Sequence, residues 1–447
     1  MHKKRIARFL VMAAAIAAVV AGAAGATSVK STAGSLNIYG FGPGDDVQEN
    51  RASYAASQLQ GVTINRQAPN FDDQSFLTQL ASGSVPDLVR MPRASVGQYA
   101  AKGVLQPVDD CIKDVKSQYR VGAMKAMSWK GHVYGLPEFT NQVTLIVNTS
   151  AFASAGVPVS QAQTSNKKQL LATAKKLAKF DSNGNLVRIG FDPKIDSGFG
   201  LALWVKWFGG KNSDIISADG LHAQLNTKES VAALAFALQL INAQGGWNKF
   251  KSYRDTFDFF GAQNPLVKDQ LGFWPMESFI YNTFSNNSPN ADLQAKFFTN
   301  HKGGPITFFS GNGWVIPKGS GNFADACSYM KAVTSVNAWE TAAKKRFDAR
   351  KAANQTFTGL YTANAVADTK VYQDIYQPFG HPQFDKAVPI LVAASKYGFE
   401  LPPTPAGSKF TDAVNSAIQR VLTGQQTPKQ ALDQAQTEAQ AAIDANK

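Results

Sequence analysis

The sequence predicts an α/β fold with two lobes, each built on an open sheet flanked by helices. One observation is the alternation of strand and helix patterns near the start of the chain, which is typical of a largely parallel sheet. The other is length. Removal of an N-terminal leader, residues 1–26, leaves 421 of the 447 residues, enough for two separate hydrophobic cores.

The alternation begins directly after the leader and a short connecting stretch. Five patterns follow one another here: strand 36–39, helix 47–59, strand 62–64, helix 76–80 and strand 87–89. In such a sheet, ligands bind where loops leave the carboxyl ends of the strands. The loops at 40–44 and 90–95 lie at such ends, and we expect both of them to face a ligand.

The block 129–152, WKGHVYGLPEFTNQVTLIVNTSAF, has a different pattern. A turn at Lys130-Gly131 precedes a strand over 132–136, and a polar bend at 137–142 leads into an apolar strand over 143–147. A core strand directly after a polar bend suits a backbone that leaves one lobe, lines a cleft and enters a second lobe.

The remaining patterns are further strands and helices along the chain. Extended patterns occupy 186–191, 271–275 and 307–316, and helical patterns occupy 167–180, 199–208, 228–243, 323–333, 339–353, 410–422 and 428–446. Thr427 is the expected N-cap of the last helix.

The N-terminus has the composition of an export signal. Four basic residues precede an apolar run at 9–20, and the small-residue stretch ending at Ala26 offers a cleavage site. No cysteine lies near that site for a lipid anchor, so we expect an exported, periplasmic protein; an uncleaved N-terminal anchor is the alternative. Cleavage lowers the formal net charge from +13 to +9. The basic residues are scattered without a recognisable nucleic-acid module, and we expect no nucleic-acid partner.

Two cysteines, Cys111 and Cys327, are the whole complement of the chain. In an exported protein a lone pair often forms a disulfide, but sequence does not supply the required Cα distance. A disulfide and two buried thiols both remain open at this stage.

Familiar catalytic and metal-binding motifs do not occur in the sequence. There is no H-E-x-x-H, C-x-x-C, G-x-S-x-G or Walker A pattern. The glycines at 40, 42 and 44 lack the dinucleotide-binding spacing, because the sixth position is Asp45. We therefore expect neither an enzyme nor a bound metal or cofactor.

Six blocks in order along the chain carry a resemblance to a known family. They are FLTQLASGSVPDLV (76–89), YAAKGVLQPVDD (99–110), the block 129–152, QLGFWPMES (270–278), GNGWVI (311–316) and VLTGQQTPKQALDQAQ (421–436). Together they resemble the bacterial extracellular solute-binding proteins of family 1, the maltose-binding type, across nearly the whole mature chain.

The resemblance implies a periplasmic-binding-protein fold, in which two lobes close about a hinge on a ligand between them. Lobe one would comprise 35–142 plus 311–377, and lobe two 143–310 plus 378–447. It also implies a monomeric sugar-binding subunit of an ABC importer, whose partners are a carbohydrate and the permease subunits. A secreted carbohydrate-active enzyme and a binder of a non-sugar solute are the alternatives.

The resemblance also implies a set of ligand contacts, because sugars pack against aromatic rings and hydrogen-bond to carboxylates, amides and arginine. The candidates are Phe41, Asp45, Asp46, Met91, Arg93, Ser95, Glu138, Asn141, Phe199, Trp274, Met276, Glu277, Trp314 and Tyr361.

Alternatives remain for several of these candidates. Asp45 and Asp46 are equally suited to the positive N-terminal end of a helix. Arg93 would suit an acidic sugar such as a uronate, or would be a surface charge. Asn141 stands where maltose-binding proteins carry an acidic contact, and Thr411 stands where they carry a stacking aromatic, so a maltodextrin ligand is disfavoured.

Overall fold

Two separate sheets organise the protein. The computed structural model describes residues 34–210 and 213–447, so the predicted export signal lies outside the described residues. Both sheets are covered by helices, which confirms the predicted two-lobed α/β fold.

The first part of the described chain, residues 34–137, supplies four strands and a short hairpin with their helices. In chain order these are β1 (Ser35–Tyr39), α1 (Asp46–Ser57), β2 (Thr63–Gln67), α2 (Asp73–Ala81), β3 (Leu88–Pro92), α3 (Arg93–Ala101), α4 (Asp109–Ile112), α5 (Val121–Ala126), β4 (Ser128–Trp129), β5 (His132–Val133) and β6 (Gly135–Pro137).

The central part, from residue 141 to residue 310, supplies most of the second sheet. Its elements are β7 (Asn141–Asn148), α6 (Thr149–Ser154), α7 (Lys167–Leu177), β8 (Lys179–Phe180), β9 (Leu186–Phe191), α8 (Gly200–Gly209), α9 (Lys228–Asn242), α10 (Trp247–Arg254), β10 (Leu271–Glu277), α11 (Phe279–Asn287), β11 (Leu293–Lys296) and β12 (Thr307–Ser310).

The last part returns to the first sheet and then completes the second lobe. Its elements are β13 (Asn312–Val315), α12 (Phe323–Val333), α13 (Val336–Ala352), α14 (Ala365–Lys370), α15 (Pro382–Ala394), β14 (Gly398–Phe399), α16 (Ser408–Leu422) and α17 (Pro428–Asp444). One π-helical turn, Val371–Ile375, follows α14.

The strand order shows how the chain divides. Sheet one has the order β2-β1-β3-β13-β6, with parallel pairing among its first three strands and antiparallel pairing of β13 with both neighbours. Sheet two has the order β14-β12-β7-β10-β9-β8, and β11 also pairs with β7. We call the halves around sheet one and sheet two lobe one and lobe two.

Two local predictions are confirmed by the backbone. Strands β4 and β5 pair as a hairpin about Lys130 and Gly131, which both have positive φ, as a tight two-residue turn requires. Thr427 caps α17 through a capping box with Gln430, which satisfies backbone donors at the helix start.

A disulfide joins the two chain segments of lobe one. Cys111 in α4 and Cys327 in α12 are bonded, with their Cα atoms 6.3 Å apart. Helix α12 comes from the part of the chain that follows lobe two, so this bond links segments 216 residues apart in sequence.

One helix, α15, lies where the sequence analysis assigned no element. It begins with Pro382 at its first turn and contains Pro389 in its interior. An interior proline lacks the N–H of the helical ladder and normally ends a helix. Here the buried side chains of Phe384, Ala387 and Leu391 hold the segment in place by packing into the core of lobe two.

Within residues 34–210 and 213–447, no helix is both long enough and apolar enough to cross a bilayer. The same residues contain no group of three or more His, Cys, Asp or Glu side chains arranged to hold a metal ion.

Candidate functional site

Two backbone crossings between the sheets form the floor of a cleft. In the first, β6 of sheet one leads through residues 138–140 into β7 of sheet two. The backbone N–H of Glu138 donates to the carbonyl of Asn312 at 2.9 Å, and that of Thr140 donates to the carbonyl of Tyr361 at 3.1 Å. The polar bend predicted from sequence is therefore a connection between the sheets whose backbone is hydrogen-bonded on both sides.

Glu138 is the first residue of this connection and is fully buried. Its carboxylate forms ion pairs with Arg51 and with Arg90, and the Arg51 guanidinium lies 3.9 Å from the centre of the Trp339 ring. Burial alone would raise the pKa of Glu138, but the two guanidinium groups outweigh it and lower that pKa. This carboxylate is fully engaged in holding the floor together.

The second crossing connects β12 and β13 through Gly311. A Cβ atom at this position would lie 2.2 Å from the carbonyl oxygen of Phe139 and 2.4 Å from Nη1 of Arg93. Its φ of +156° also lies in a region that side chains rarely adopt. Only glycine lets the two crossings approach this closely.

A pocket of about 520 Å³ opens above this floor, between the lobes. Its volume falls within the range of about 300–1,000 Å³ that is usual for small-molecule sites. Most of the lining is apolar and aromatic, with a few hydrogen-bonding groups interspersed. The lining residues are Pro92, Ala94, Phe139, Asn141, Ser197, Gly198, Phe199, Ile216, Glu277, Phe308, Phe309, Ser310, Gly311, Asn312, Glu400, Leu401, Pro402, Thr404, Gly407, Phe410 and Thr411.

Lobe one and lobe two are joined beside the pocket by a buried ion pair. Nε of Arg93, at the start of α3, lies 2.7 Å from Oε1 of Glu400, which follows β14. Nη2 of Arg93 reaches Oε2 of the same carboxylate at 3.2 Å, and Nη1 donates to the carbonyls of Phe139 and Asn312. Burial raises the pKa of Glu400, and Arg93 opposes that rise.

A second contact between the lobes lies one turn further along α3. Oε1 of Gln98 accepts a hydrogen bond from the backbone N–H of Ser408 at 3.0 Å. With the Arg93–Glu400 pair, this contact draws the segment 400–408 of lobe two against α3 of lobe one. In this structure the lobes are thus held together by protein groups on one side of the pocket.

Glu277 is the second carboxyl group of the pocket and has a different environment. It ends β10, and its carboxylate accepts a hydrogen bond from the hydroxyl of Ser310. Burial raises its pKa above the ordinary value of 4.5. Among the described residues it forms no ion pair, in contrast to Glu400.

The structure brings three of the predicted contacts to the pocket wall: Asn141, Phe199 and Glu277. Asn141 is the first residue of β7 and lies at the floor. Phe199 precedes α8, and its ring lies 6.3 Å from that of Phe308, so that the two rings form one aromatic wall.

Most of the other predicted contacts lie inside the lobes or behind the pocket wall. Phe41, Met91 and Trp314 are fully buried in the core of lobe one, and Trp274 is fully buried in that of lobe two. Five further candidates are buried or half-buried and are not among the lining residues: Arg93, Ser95, Glu138, Met276 and Tyr361.

Arg93 requires a correction to the sequence interpretation. Its side chain is only 1% exposed and donates to Glu400 and to two carbonyls. It is neither a surface charge nor a cation directed at the pocket.

Asp45 and Asp46 lie outside the pocket lining, at the N-terminus of α1. Asp45 caps the helix by accepting from the backbone N–H of Gln48 at 2.9 Å. Both carboxylates also form ion pairs with Arg346 of α13. Burial alone would raise the pKa of Asp46, but Arg346 outweighs burial and lowers that pKa. The helix-terminus alternative accounts for this placement.

Several pocket residues were not predicted. Phe308 and Phe309 belong to an extended pattern that gave no sign of which ring faces outward. Glu400 and Leu401 come from the stretch ELPP, which the sequence analysis left unassigned. A glutamate two residues before a pair of prolines is the only signal in the sequence that marks this segment.

The fold and the pocket together define a class. Two α/β lobes joined by backbone crossings, with a largely aromatic pocket between them, are the architecture of two-lobed solute-binding proteins. The sequence profile described as "bacterial extracellular solute-binding protein" matches residues 52–366. The chain belongs to this family, whose members are exported proteins that bind ligands for transport.

Relatives and solved structures agree with the family. The maltotriose-binding protein of Pyrococcus abyssi (strain GE5 / Orsay) is 30% identical over 86 residues, which is 19% of this chain and 19% of that protein. The structure of CpMnBP1 with mannotriose bound superposes with a TM-score of 0.70 at 23% identity, covering 91% of this chain and 99% of that one. The ABC substrate-binding protein Lmo0181 from Listeria monocytogenes, in complex with cycloalternan, gives 0.70 at 21% identity over 92% and 99%.

Proposed function

We propose that this protein captures a mono- or oligosaccharide in the pocket between its lobes and delivers it to the permease of an ABC importer. The observation that carries the proposal is the pocket itself. It combines aromatic side chains with carboxylate, amide and hydroxyl groups, the two kinds of surface that a sugar ring uses. The relatives named above, which are described with maltotriose, mannotriose and cycloalternan, support the same class of ligand.

The mechanism is capture followed by closure. The crossings at 138–140 and at Gly311 are the hinge segments, and residues of both lobes line the pocket. A sugar that contacts Phe199 of lobe two and Asn312 of lobe one at the same time stabilises the closed arrangement by its preference for that state. The closed form is then the one presented to the permease, outside the cytoplasm, in the periplasm.

Among the predicted contacts, Asn141, Phe199 and Glu277 are the ones we assign to the ligand. Phe308, Phe309, Phe410 and Thr411 join them from the pocket wall. The function is binding without turnover, and the protein acts as a monomer.

A sugar panel tests the proposal. Mannobiose, mannotriose, maltotriose and cellobiose are screened by thermal shift and then by calorimetry, since a ligand at 100 times its Kd stabilises the folded state by about 2.7 kcal/mol. Recovery of the intact sugar after incubation separates binding from hydrolysis. The proposal is contradicted if none of the sugars binds the folded protein, or if a sugar that binds is hydrolysed.

A variant pair identifies the site. Phe199→Ala should weaken binding of the identified sugar at least tenfold, because the ring lines the pocket beside Phe308. The matched control is Phe180→Ala, a phenylalanine of the same lobe that is 41% exposed and lies away from the pocket. Equal affinities in the two variants would place the ligand elsewhere.

A further inference from the structure

The two carboxylates that line the pocket differ in whether a cation is paired with them. Two carboxylates, those of Glu277 and Glu400, line it. No lysine, arginine or histidine of the part of the chain that the structure describes is among the lining residues. The electrostatic character of the site therefore depends on whether each carboxylate is neutralised from behind the wall.

Glu400 is neutralised. Arg93 holds both of its oxygens, at 2.7 and 3.2 Å, from a position that is almost completely buried. The same guanidinium donates to the carbonyls of Phe139 and Asn312 at 2.6 and 3.0 Å. Four of the five N–H donors of Arg93 are used in this way, and the side chain is only 1% exposed, so it is not presented to an anionic ligand.

Glu277 is not neutralised. Its hydrogen-bond partner is the Ser310 hydroxyl, and no ion pair to it is formed by residues 34–210 or 213–447. The surrounding wall includes the aromatic rings of Phe308 and Phe309, which offer a carboxylate little solvation. Burial raises the pKa of this group, in agreement with a carboxylate that lacks a cation.

We propose that Glu277 makes the pocket selective against acidic sugars, and that it receives a hydrogen-bond donor, a hydroxyl or an ammonium group, from an uncharged or amino-bearing sugar. This inference rests on the proposed sugar-binding function. A ligand carboxylate would face Glu277 without an intervening cation, and such like-charge juxtaposition strongly opposes binding. A donor facing it forms a charge-assisted hydrogen bond, which is stronger than a neutral one.

Matched sugar series test the inference. Glucose, glucosamine and glucuronate, and likewise galactose, galactosamine and galacturonate, are titrated at pH 7.5 into the full exported chain. Mannobiose, maltotriose and cellobiose are included as neutral binding probes. We expect each uronate to bind at least tenfold more weakly than its neutral counterpart, and each amino sugar to bind at least as tightly as that counterpart.

Two variants assign the effect to one residue. In Glu277→Gln the penalty against the uronate should shrink to within about threefold, since the like charge is removed. Asp433→Asn removes one negative charge from an exposed position of α17 in the same lobe, outside the pocket, and should leave the penalty unchanged. Should Glu277→Gln not fold, the ratio measured in the unaltered protein still decides the main point.

Three results would overturn parts of this scheme, and they differ from one another. A uronate that binds as tightly as its neutral counterpart overturns the selectivity while leaving sugar binding intact. A penalty unchanged in folded Glu277→Gln overturns the role of Glu277. Failure of every sugar, neutral probes included, to bind the folded protein overturns the proposed function together with this inference.

Discussion

Replacement of Trp274 by alanine distinguishes a core residue from a ligand contact. The sequence favours the cleft for this side chain, because it stands beside Pro275 and matches a tryptophan-containing cleft loop of the family that the chain resembles. The structure places it in the middle of β10, opposite Ile146 of β7, with no exposed surface. Its ring lies 6.5 Å from that of Phe284, within the core of lobe two.

The size of the effect follows from that burial. Truncation of a buried tryptophan to alanine typically costs about 3–5 kcal/mol through lost contacts and the remaining cavity. Nε1 of Trp274 has no hydrogen-bond partner among the described residues, so no hydrogen bond to it is lost. For a lobe of about 240 residues, each kcal/mol lowers Tm by roughly 2–4 °C. We therefore expect Tm to fall by roughly 6–20 °C.

Calorimetry measures the change in Tm, and titration of the sugar identified in the panel measures affinity at a temperature where the variant is folded. Affinity should stay within about threefold, because Trp274 does not line the pocket. Trp274→Phe is the matched control and should recover most of the lost stability. The reasoning is refuted by a variant that keeps its Tm and loses its affinity, since that outcome belongs to a ligand contact.

Three further predictions address the crossing, the disulfide and the pocket carboxyl. Gly311→Ala should lower the free energy of unfolding, measured with urea, by more than about 1 kcal/mol, because the new Cβ would lie 2.2 Å from the Phe139 carbonyl oxygen. The control is Gly122→Ala, since a Cβ at Gly122 would have no atom within 4 Å. Cys111→Ser with Cys327→Ser should destabilise the protein by about 2–5 kcal/mol, since chain entropy alone gives roughly 5 kcal/mol for a loop of this length; an unchanged urea midpoint would contradict this. Affinity for a neutral sugar should fall as the pH is lowered, beginning at a pH above 4.5. The pKa of Glu277 is raised above 4.5, so its carboxylate becomes protonated in this interval and loses the negative charge that accepts a hydrogen bond. In Glu277→Gln the affinity should not change over the same pH interval.

The crossing block shows what sequence predicts well. Its turn, bend and strand are signalled by local chemistry: a Lys-Gly pair, a proline stop and an apolar run. The turn, the bend and the apolar strand lie within two residues of the predicted bounds, whereas the strand predicted over 132–136 is wrong: it is divided into β5 and β6, which pair in different sheets. Local signals are sufficient for the turn, the bend and the apolar strand because their conformation depends on neighbours in sequence.

The pocket wall shows what sequence predicts poorly. In β10, which has neighbours on both sides, Phe273 and Trp274 point to opposite faces and both are buried. Only the last residue, Glu277, reaches the pocket, and the register with β7 determines where that end lies. The partner of Arg93, which lies 307 residues away, is likewise fixed by topology. Neither the position of Glu277 nor the partner of Arg93 can be predicted from the residues that are neighbours in sequence.

The position of β13 in sheet one has a consequence for how the chain assembles. This strand lies between β3 and β6, yet it is made only after the whole central part of lobe two. During synthesis from the N-terminus, β3 and β6 therefore have unpaired hydrogen-bonding edges until the chain has been made as far as residue 315. The strands β7 to β12 are made before that point and can already pair. Exposed edges of this kind invite aggregation. We infer that the strands β7 to β12 pair before sheet one is complete, and that the Cys111–Cys327 bond, which needs residue 327, joins two parts of lobe one that are made far apart in time.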